Sequence, residues 1–151
     1  MGLVEMLTRD FVATVYIVKG GEVLLVFHKK LNMWLPPGGH IDNNELPCDA
    51  AKREAFEETG LRIKLAGDEE PLGKGVRKLV QPKVVQLEDI GEGHQHIDLV
   101  YYAMSDSGKL KLNENEHKEI KWFSADDLEK DGIPESVRVY GKKAIEELSN
   151  K

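Results

Sequence analysis

Two runs of apolar, β-branched and aromatic residues begin the regular pattern of this chain. Phe11 to Val18 reads FVATVYIV and Glu22 to Phe27 reads EVLLVF, with Lys19-Gly20-Gly21 between them. Two such runs around a glycine turn predict a β-hairpin. In Leu35-Pro36-Pro37-Gly38-Gly39 the prolines and glycines argue against regular structure. From Pro47 to Thr59 the spacing turns helical, with Ala50, Ala51, Ala55 and Phe56 forming an apolar stripe. Gly60 is a natural stop for that helix. Leu61 to Leu65 predicts a short strand.

The second half alternates more weakly. Asp68 to Lys78 reads as a loop or irregular hairpin, and Leu79 to Leu87 as a strand interrupted by Pro82. Glu88 to Gly93 reads as an acidic turn, His96 to Met104 as a strand, and Asp106 to His117 as a loop. Ile120 to Phe123 predicts a short strand. Ser124 is placed to cap a helix over Ala125 to Glu129, with Asp127 at the capping-box position. Gly132 and Pro134 break it. Ser136 to Leu148 predicts an amphipathic helix with Val137, Tyr140, Ala144 and Leu148 near one face. Mixed strands with two or three helices imply an α/β layered domain.

Composition narrows the function classes. A chain of 151 residues suits one domain, and 40% apolar residues suffice for one core. The 21 basic against 27 acidic residues leave a net charge of −6. That balance argues against stable binding to DNA, RNA or an anionic membrane surface. It still allows an anionic substrate bridged by metal. No stretch approaches 18 consecutive apolar residues, so no membrane span is expected. Met1 to Asp10 carries Glu5 and Asp10 and lacks the apolar run of a signal peptide. The single cysteine, Cys48, excludes an intrachain disulfide and a thiolate cluster. With no histidine partner placed beside it by the sequence, Cys48 reads as packing. These features point to a cytoplasmic enzyme or binding protein.

The predicted helix carries the chemistry. Glu54, Glu57 and Glu58 fall at i, i+3 and i+4, which puts them on one helix face. Like charges so placed repel unless a partner compensates them. A hard divalent cation is such a partner, because carboxylate oxygens suit Mg²⁺ or Mn²⁺. Arg53, four residues before Glu57, can orient it by a charge-assisted bond. Taken alone, the helix leaves open an ordinary solvated acidic face.

The surrounding residues extend the pattern. Gly39 to Leu61 reads GHIDNNELPCDAAKREAFEETGL. Gly39, Glu45, Arg53, Glu54, Ala55, Glu57, Glu58, Gly60 and Leu61 stand at the spacing of the Nudix hydrolase signature, which this segment resembles at every fixed position. The flanks, Trp34-Leu35-Pro36-Pro37-Gly38 and Trp122-Phe123 followed by Asp127-Leu128, are similar to the family as well. The resemblance extends over about residues 8 to 150, read as a single domain. One departure lies before the helix, where the family often has Pro-Gly-Glu-Ser and this chain has Asn43-Asn44-Glu45-Leu46. Leu46 offers no side-chain cap. Pro47 suits the first helical position and Asp49 the positive helix end, so the cap can shift by a residue.

The resemblance implies an α/β/α sandwich around a mixed β-sheet, with a loop–helix–loop catalytic element. It implies metal-dependent attack of water on a pyrophosphate linking a nucleoside diphosphate to another group. Carried onto this sequence, Glu57 and Glu58 become metal ligands and Glu54 a further ligand or the base. The Gly38 carbonyl completes the ligand set, and Glu45 and Arg53 orient the others. Glu116 and Glu119 are both candidates for an acidic group outside the motif. Mg²⁺ is the expected ion, with Mn²⁺ an alternative.

Residues for substrate contact are read less directly. Trp34 can stack on a nucleobase or pack in the core. Gly38 and Gly39 permit a tight turn and close backbone approach to metal or phosphate. Arg77 and Lys78 can reach phosphate from a loop or serve as solvent charge. His94, His96 and Asp98 alternate, so they share one sheet face. Their spacing alone allows a zinc site, but with no fourth partner in view, substrate contacts or a solvated sheet edge is the preferred reading. Tyr101 and Tyr102 suit packing or base recognition. The short chain favours a nucleoside triphosphate or a small nucleotide derivative such as ADP-ribose as substrate. A nucleotide-binding regulatory module with little hydrolysis is the alternative. The final helix can pack on its own domain or across a homodimer.

Overall fold

The computed structural model of the chain describes residues 6–149. Residues 1–5 and 150–151, which include the start of the N-terminal stretch and the boundary expected at 150, lie outside the described residues. Strands β1 (Thr8–Lys19) and β2 (Glu22–His28) form the expected hairpin, with Val18 opposite Val23. Gly20 and Gly21 both have positive φ, 58° and 77°, the backbone that tight hairpin turns require. Two three-residue strands follow, β3 (Met33–Leu35) and β4 (Gly38–His40). The segment expected to be irregular therefore pairs on both sides of Pro36-Pro37, with β3 against β2 and β4 against β1.

Helix α1 spans Pro47–Thr59, as the periodicity predicts. Leu46 is its N-cap without a side-chain cap bond, so the cap does not shift, and Pro47 occupies the first turn. Gly60 ends it in the left-handed region at φ 78°, its amide donating to the Phe56 carbonyl at 2.9 Å. Strand β5 (Leu61–Leu65) comes next, then the small ribbon of β6 (Glu70–Pro71) and β7 (Arg77–Lys78).

Strands β8 (Val84–Gly91) and β9 (His94–Gly108) form a long antiparallel pair. The strand expected over 79–87 is displaced beyond Pro82, and the expected acidic turn at Glu88–Gly93 is mostly strand. A ladder uses backbone groups, so Glu88 and Asp89 are tolerated there. Gln95 donates to Asp89 across the pair at 2.9 Å. Strand β10 (His117–Phe123), a 3₁₀ turn (Asp127–Glu129) and helix α2 (Glu135–Leu148) complete the chain. The reciprocal Ser124–Asp127 bonds of a capping box form, at 3.0 and 3.1 Å, but they close a 3₁₀ turn instead of a full helix.

The main path of the sheet runs β10-β2-β1-β9-β5, with β1 and β9 parallel and the other pairings antiparallel. Period-two alternation gives it two apolar faces. Ala13, Val15, Ile17 and Leu24 pack with Cys48, Ala50, Ala51 and Ala55 of α1. Tyr16, Val18, Val23 and Leu25 pack with Val137, Ala144 and Leu148 of α2 and with Leu128. Each large aliphatic side chain buried this way contributes about 1.5–3 kcal/mol relative to exposure. The result is the α/β/α sandwich expected from the sequence.

Candidate active site in the carboxylate-lined cleft

Beyond the N-terminal end of α2 the sheet opens into a cleft of about 990 Å³. Its lining includes Thr14, Gln86 and Asp98 of β1, β8 and β9, Gly38 and Gly39 of β4, Glu54 and Glu58 of α1, and Glu116 and His117. Glycines let the helix carboxylates reach this space. A Cβ on Gly39 would fall 2.5 Å from the Glu54 carboxyl carbon, and one on Gly38 would fall 2.7 Å from the Ala13 carbonyl.

Arg53 organises the carboxylates. Its Nε and Nη2 donate to the two oxygens of Glu45 at 2.8 and 3.0 Å. Its Nη1 donates to Glu54 at 2.9 Å and to Glu57 at 3.2 Å, and Nη2 also reaches the His40 carbonyl at 3.0 Å. Glu45 in turn accepts the Asp42 amide at 3.0 Å. The bond from Arg53 holds the Glu45 carboxyl below its ordinary range. One guanidinium thus fixes three carboxylates in a planar fork that a lysine cannot reproduce.

The three glutamates of α1 do not share one environment. Glu58 is buried, accepts the Gly38 amide at 2.8 Å and meets His117 Nε2 at 3.1 Å. Burial raises the Glu58 carboxyl above its ordinary range, against the bonds from His117 and Gly38. Burial also raises Glu54, which Arg53 opposes and the neighbouring Glu58 reinforces. Glu57 is half exposed and sits outside the cleft lining, held by Arg53. Glu116, Glu58 and His117 bring ligand atoms within 4.8 Å of one another. His117 Nδ1 is buried and has no hydrogen-bond partner among the described residues.

These donors fit a hard divalent cation. Glu54, Glu58 and Glu116 line one space, and desolvated carboxylates crowded together favour a cation or a proton. Glu119 is exposed on β10 and does not line the cleft, so Glu116 is the outside acid that the fold brings to it. His117 is not singled out by sequence reasoning, although it lies between those two candidates. Its contact with Glu58 spans 59 positions, and no local pattern announces it.

Other residues considered for substrate contact separate clearly. His96 lines the cleft, as do His94 and Asp98 on the same face of β9. Burial, then the neighbouring His40 and His94, lowers the His96 imidazole. Asp98 accepts the Thr14 hydroxyl at 2.9 Å, while its other oxygen is buried without a hydrogen-bond partner among the described residues. Burial and then Glu88 raise its carboxyl to about 8. Trp34 instead packs edge-on against Phe27 and Phe123, at 5.2 and 4.8 Å between ring centroids. Arg77 is exposed on the β6–β7 ribbon, away from the cleft. Tyr102 lines a separate groove beside Lys83 and Tyr140 of α2.

The sequence matches the NUDIX domain over residues 7–142. It is 30% identical over 132 residues to a probable DHNTP pyrophosphohydrolase of Lactococcus lactis subsp. cremoris, a match covering 85% of this chain and 69% of that protein. A Nudix-family hydrolase from Clostridium perfringens superposes with a TM-score of 0.82 at 38% identity, covering 94% of this chain and 99% of the other. A MutT Nudix hydrolase from Burkholderia pseudomallei gives 0.69 at 25% identity, with 93% and 98% covered. With Gly39, Glu54 and Glu58 of the motif lining one cleft and this likeness over nearly the whole chain, the protein belongs to the Nudix hydrolases, enzymes that act on pyrophosphate bonds.

Proposed function

We propose that this protein is a divalent-metal-dependent pyrophosphohydrolase of nucleoside triphosphates or small nucleotide derivatives, formed by residues 8–150 as one domain. The observation that carries the reading is a pair of desolvated carboxylates, Glu54 at 14% side-chain exposure and Glu58 at 6%, lining a cleft large enough for a nucleotide.

Glu54, Glu57, Glu58 and the Gly38 carbonyl are the proposed metal ligands of the motif, with Glu116 the acid from outside it. A divalent cation bound there would neutralise phosphate oxygens and lower the pKa of water for attack on phosphorus.

The chain's own groups supply the rest. Arg53 and Glu45 hold the glutamates at fixed positions before substrate arrives. A deprotonated Glu54 or Glu58 receives the proton of the attacking water. Thr14, Gln86, His96 and Asp98 offer polar groups to the nucleotide in the same cleft, and Gly38 and Gly39 allow a phosphate to approach the backbone closely. Trp34, Arg77 and Tyr102 have no part in this proposal, because none of them lines the cleft or belongs to the carboxylate motif that carries Glu57.

Among the described residues no helix is long and apolar enough to cross a membrane. Small nucleotides are the proposed partners, and the buried free thiol of Cys48 suits a cytoplasmic location. Product analysis over a substrate panel tests the reading. The panel holds canonical and oxidised triphosphates, ADP-ribose, other nucleotide sugars, dinucleoside polyphosphates and DHNTP. Metal-dependent release of pyrophosphate or a nucleoside monophosphate from a triphosphate or small derivative supports it. Tight nucleotide binding by folded, metal-loaded protein with no turnover would replace it with the regulatory module.

A further inference from the structure

At the mouth of the cleft, three neighbouring strands bring together a donor set different from the carboxylates of α1. Asp10 of β1 is the register partner of His96 on β9, and His94 lies two residues before His96 on the same face. One ligand atom from each of Asp10, His94 and His96 lies within 4.8 Å of the others. Asp10 Oδ2 is 3.3 Å from His94 Nε2 and 3.2 Å from His40 Nε2 on β4. The His40 and His96 rings are 5.1 Å apart, and those of His94 and His96 are 5.2 Å apart.

We propose that Asp10, His94 and His96 bind a borderline transition-metal ion of the Zn²⁺ class, with His40 as fourth ligand, at a site separate from the carboxylate centre. Three imidazoles and one carboxylate suit Zn²⁺ far better than Mg²⁺, which takes oxygen ligands. Donor atoms on tetrahedral zinc lie about 3.4 Å apart, given ligand distances of about 2.0–2.1 Å. The Asp10–His94 and Asp10–His40 separations already match that spacing. Two further observations point to a ligand. His96 Nε2 is buried with no hydrogen-bond partner among the described residues. Thr8 Oγ1 sits 2.8 Å from His94 Nδ1, fixing the ring with Nε2 toward Asp10 as metal-bound histidines are commonly fixed.

The His40 backbone carbonyl accepts Arg53 at 3.0 Å, so an ion here would tie β1, β4 and β9 together beside the catalytic network. Because His96 also lines the proposed nucleotide cleft, binding of this ion is measured without nucleotide, which keeps the result independent of the substrate reading. The test is equilibrium dialysis of tag-free, chelator-stripped protein against micromolar Zn²⁺ in millimolar Mg²⁺, paired with the visible absorption of the Co²⁺ form. The parent and Glu58→Gln/His117→Ala should each bind one Zn²⁺ in this site. His94→Ala and Asp10→Asn should weaken that binding at least tenfold and lose the intense Co²⁺ bands of a four-coordinate site, while circular dichroism reports a retained fold. Absence of Zn²⁺ binding by the parent, or binding lost in Glu58→Gln/His117→Ala but kept in the folded Asp10 and His94 variants, would overturn it.

Discussion

The Glu58 carboxylate meets His117 Nε2 at 3.1 Å, joining the end of α1 to the start of β10 across 59 positions of chain. Both side chains are almost fully buried, at 6% and 2% exposure. Removing His117 leaves the buried Glu58 carboxylate with the Gly38 amide in place of two partners. His117→Ala is therefore expected to cost about 1–3 kcal/mol of stability. Denaturant unfolding of the metal-free protein measures it, and an unchanged midpoint and slope would show that the contact contributes nothing.

The raised carboxyls of Glu54 and Glu58 set a pH dependence for metal binding. Their folded-state values lie above the unfolded ones, so the metal-free protein loses stability as pH rises through their titration. A cation needs both groups deprotonated, so its binding releases protons and tightens with rising pH. The gain in Tm on adding Mn²⁺ should be larger at pH 8 than at pH 5.5. A gain that is equal at both values would remove Glu54 and Glu58 as ligands.

Asp98 makes a separate stability prediction. Its folded carboxyl is raised to about 8 by burial and then by Glu88. The stabilisation from its bound proton is full below the unfolded value of about 3.9 and is lost as pH rises through about 8. Asp98→Asn keeps a neutral side chain at every pH. Compared with the parent, it should gain stability between pH 5 and pH 9. Urea unfolding at the two pH values checks this, and parallel losses in the two proteins would refute it.

Gly38 and Gly39 should fail differently when enlarged. A Cβ on Gly39 meets the end of the Glu54 side chain, which can move, so Gly39→Ala should fold with Glu54 displaced. Its kcat should fall about 10–100-fold, the usual loss when metal ligands are misaligned. A Cβ on Gly38 meets the Ala13 carbonyl and the Thr14 backbone, which cannot easily yield. Gly38→Ala should lose about 1–3 kcal/mol of stability through overpacking. Full activity in Gly39→Ala would mean that the position of Glu54 is unimportant to turnover.

Local signals are legible in the sequence, and contacts between distant segments are not. The hairpin, the limits of α1 and its Gly60 stop follow from nearby residues, and so does the shared face of His94, His96 and Asp98. The motif spacing identifies the carboxylates, yet helical spacing alone makes Glu57 equivalent to Glu54 and Glu58. Packing of α1 on the sheet draws the latter two into the cleft wall and leaves Glu57 on the outer flank beside Arg53. Trp34 is ambiguous until β2 and β10 supply Phe27 and Phe123 as its neighbours. The proposed metal group joins His94 and His96 not to Asp98 but to Asp10 of β1 and His40 of β4, two strands that no periodicity links to β9.

Hydrolysis by carboxylate-held metal is tested most directly by following phosphate products by ³¹P NMR with the best substrate of the panel. The parent is compared with Glu57→Gln, each with Mg²⁺ and with excess chelator. The expected result is turnover by the parent with Mg²⁺, and background rates in chelator and in the folded Glu57→Gln protein. Turnover that persists in chelator, or that Glu57→Gln leaves at the parent rate, would contradict it.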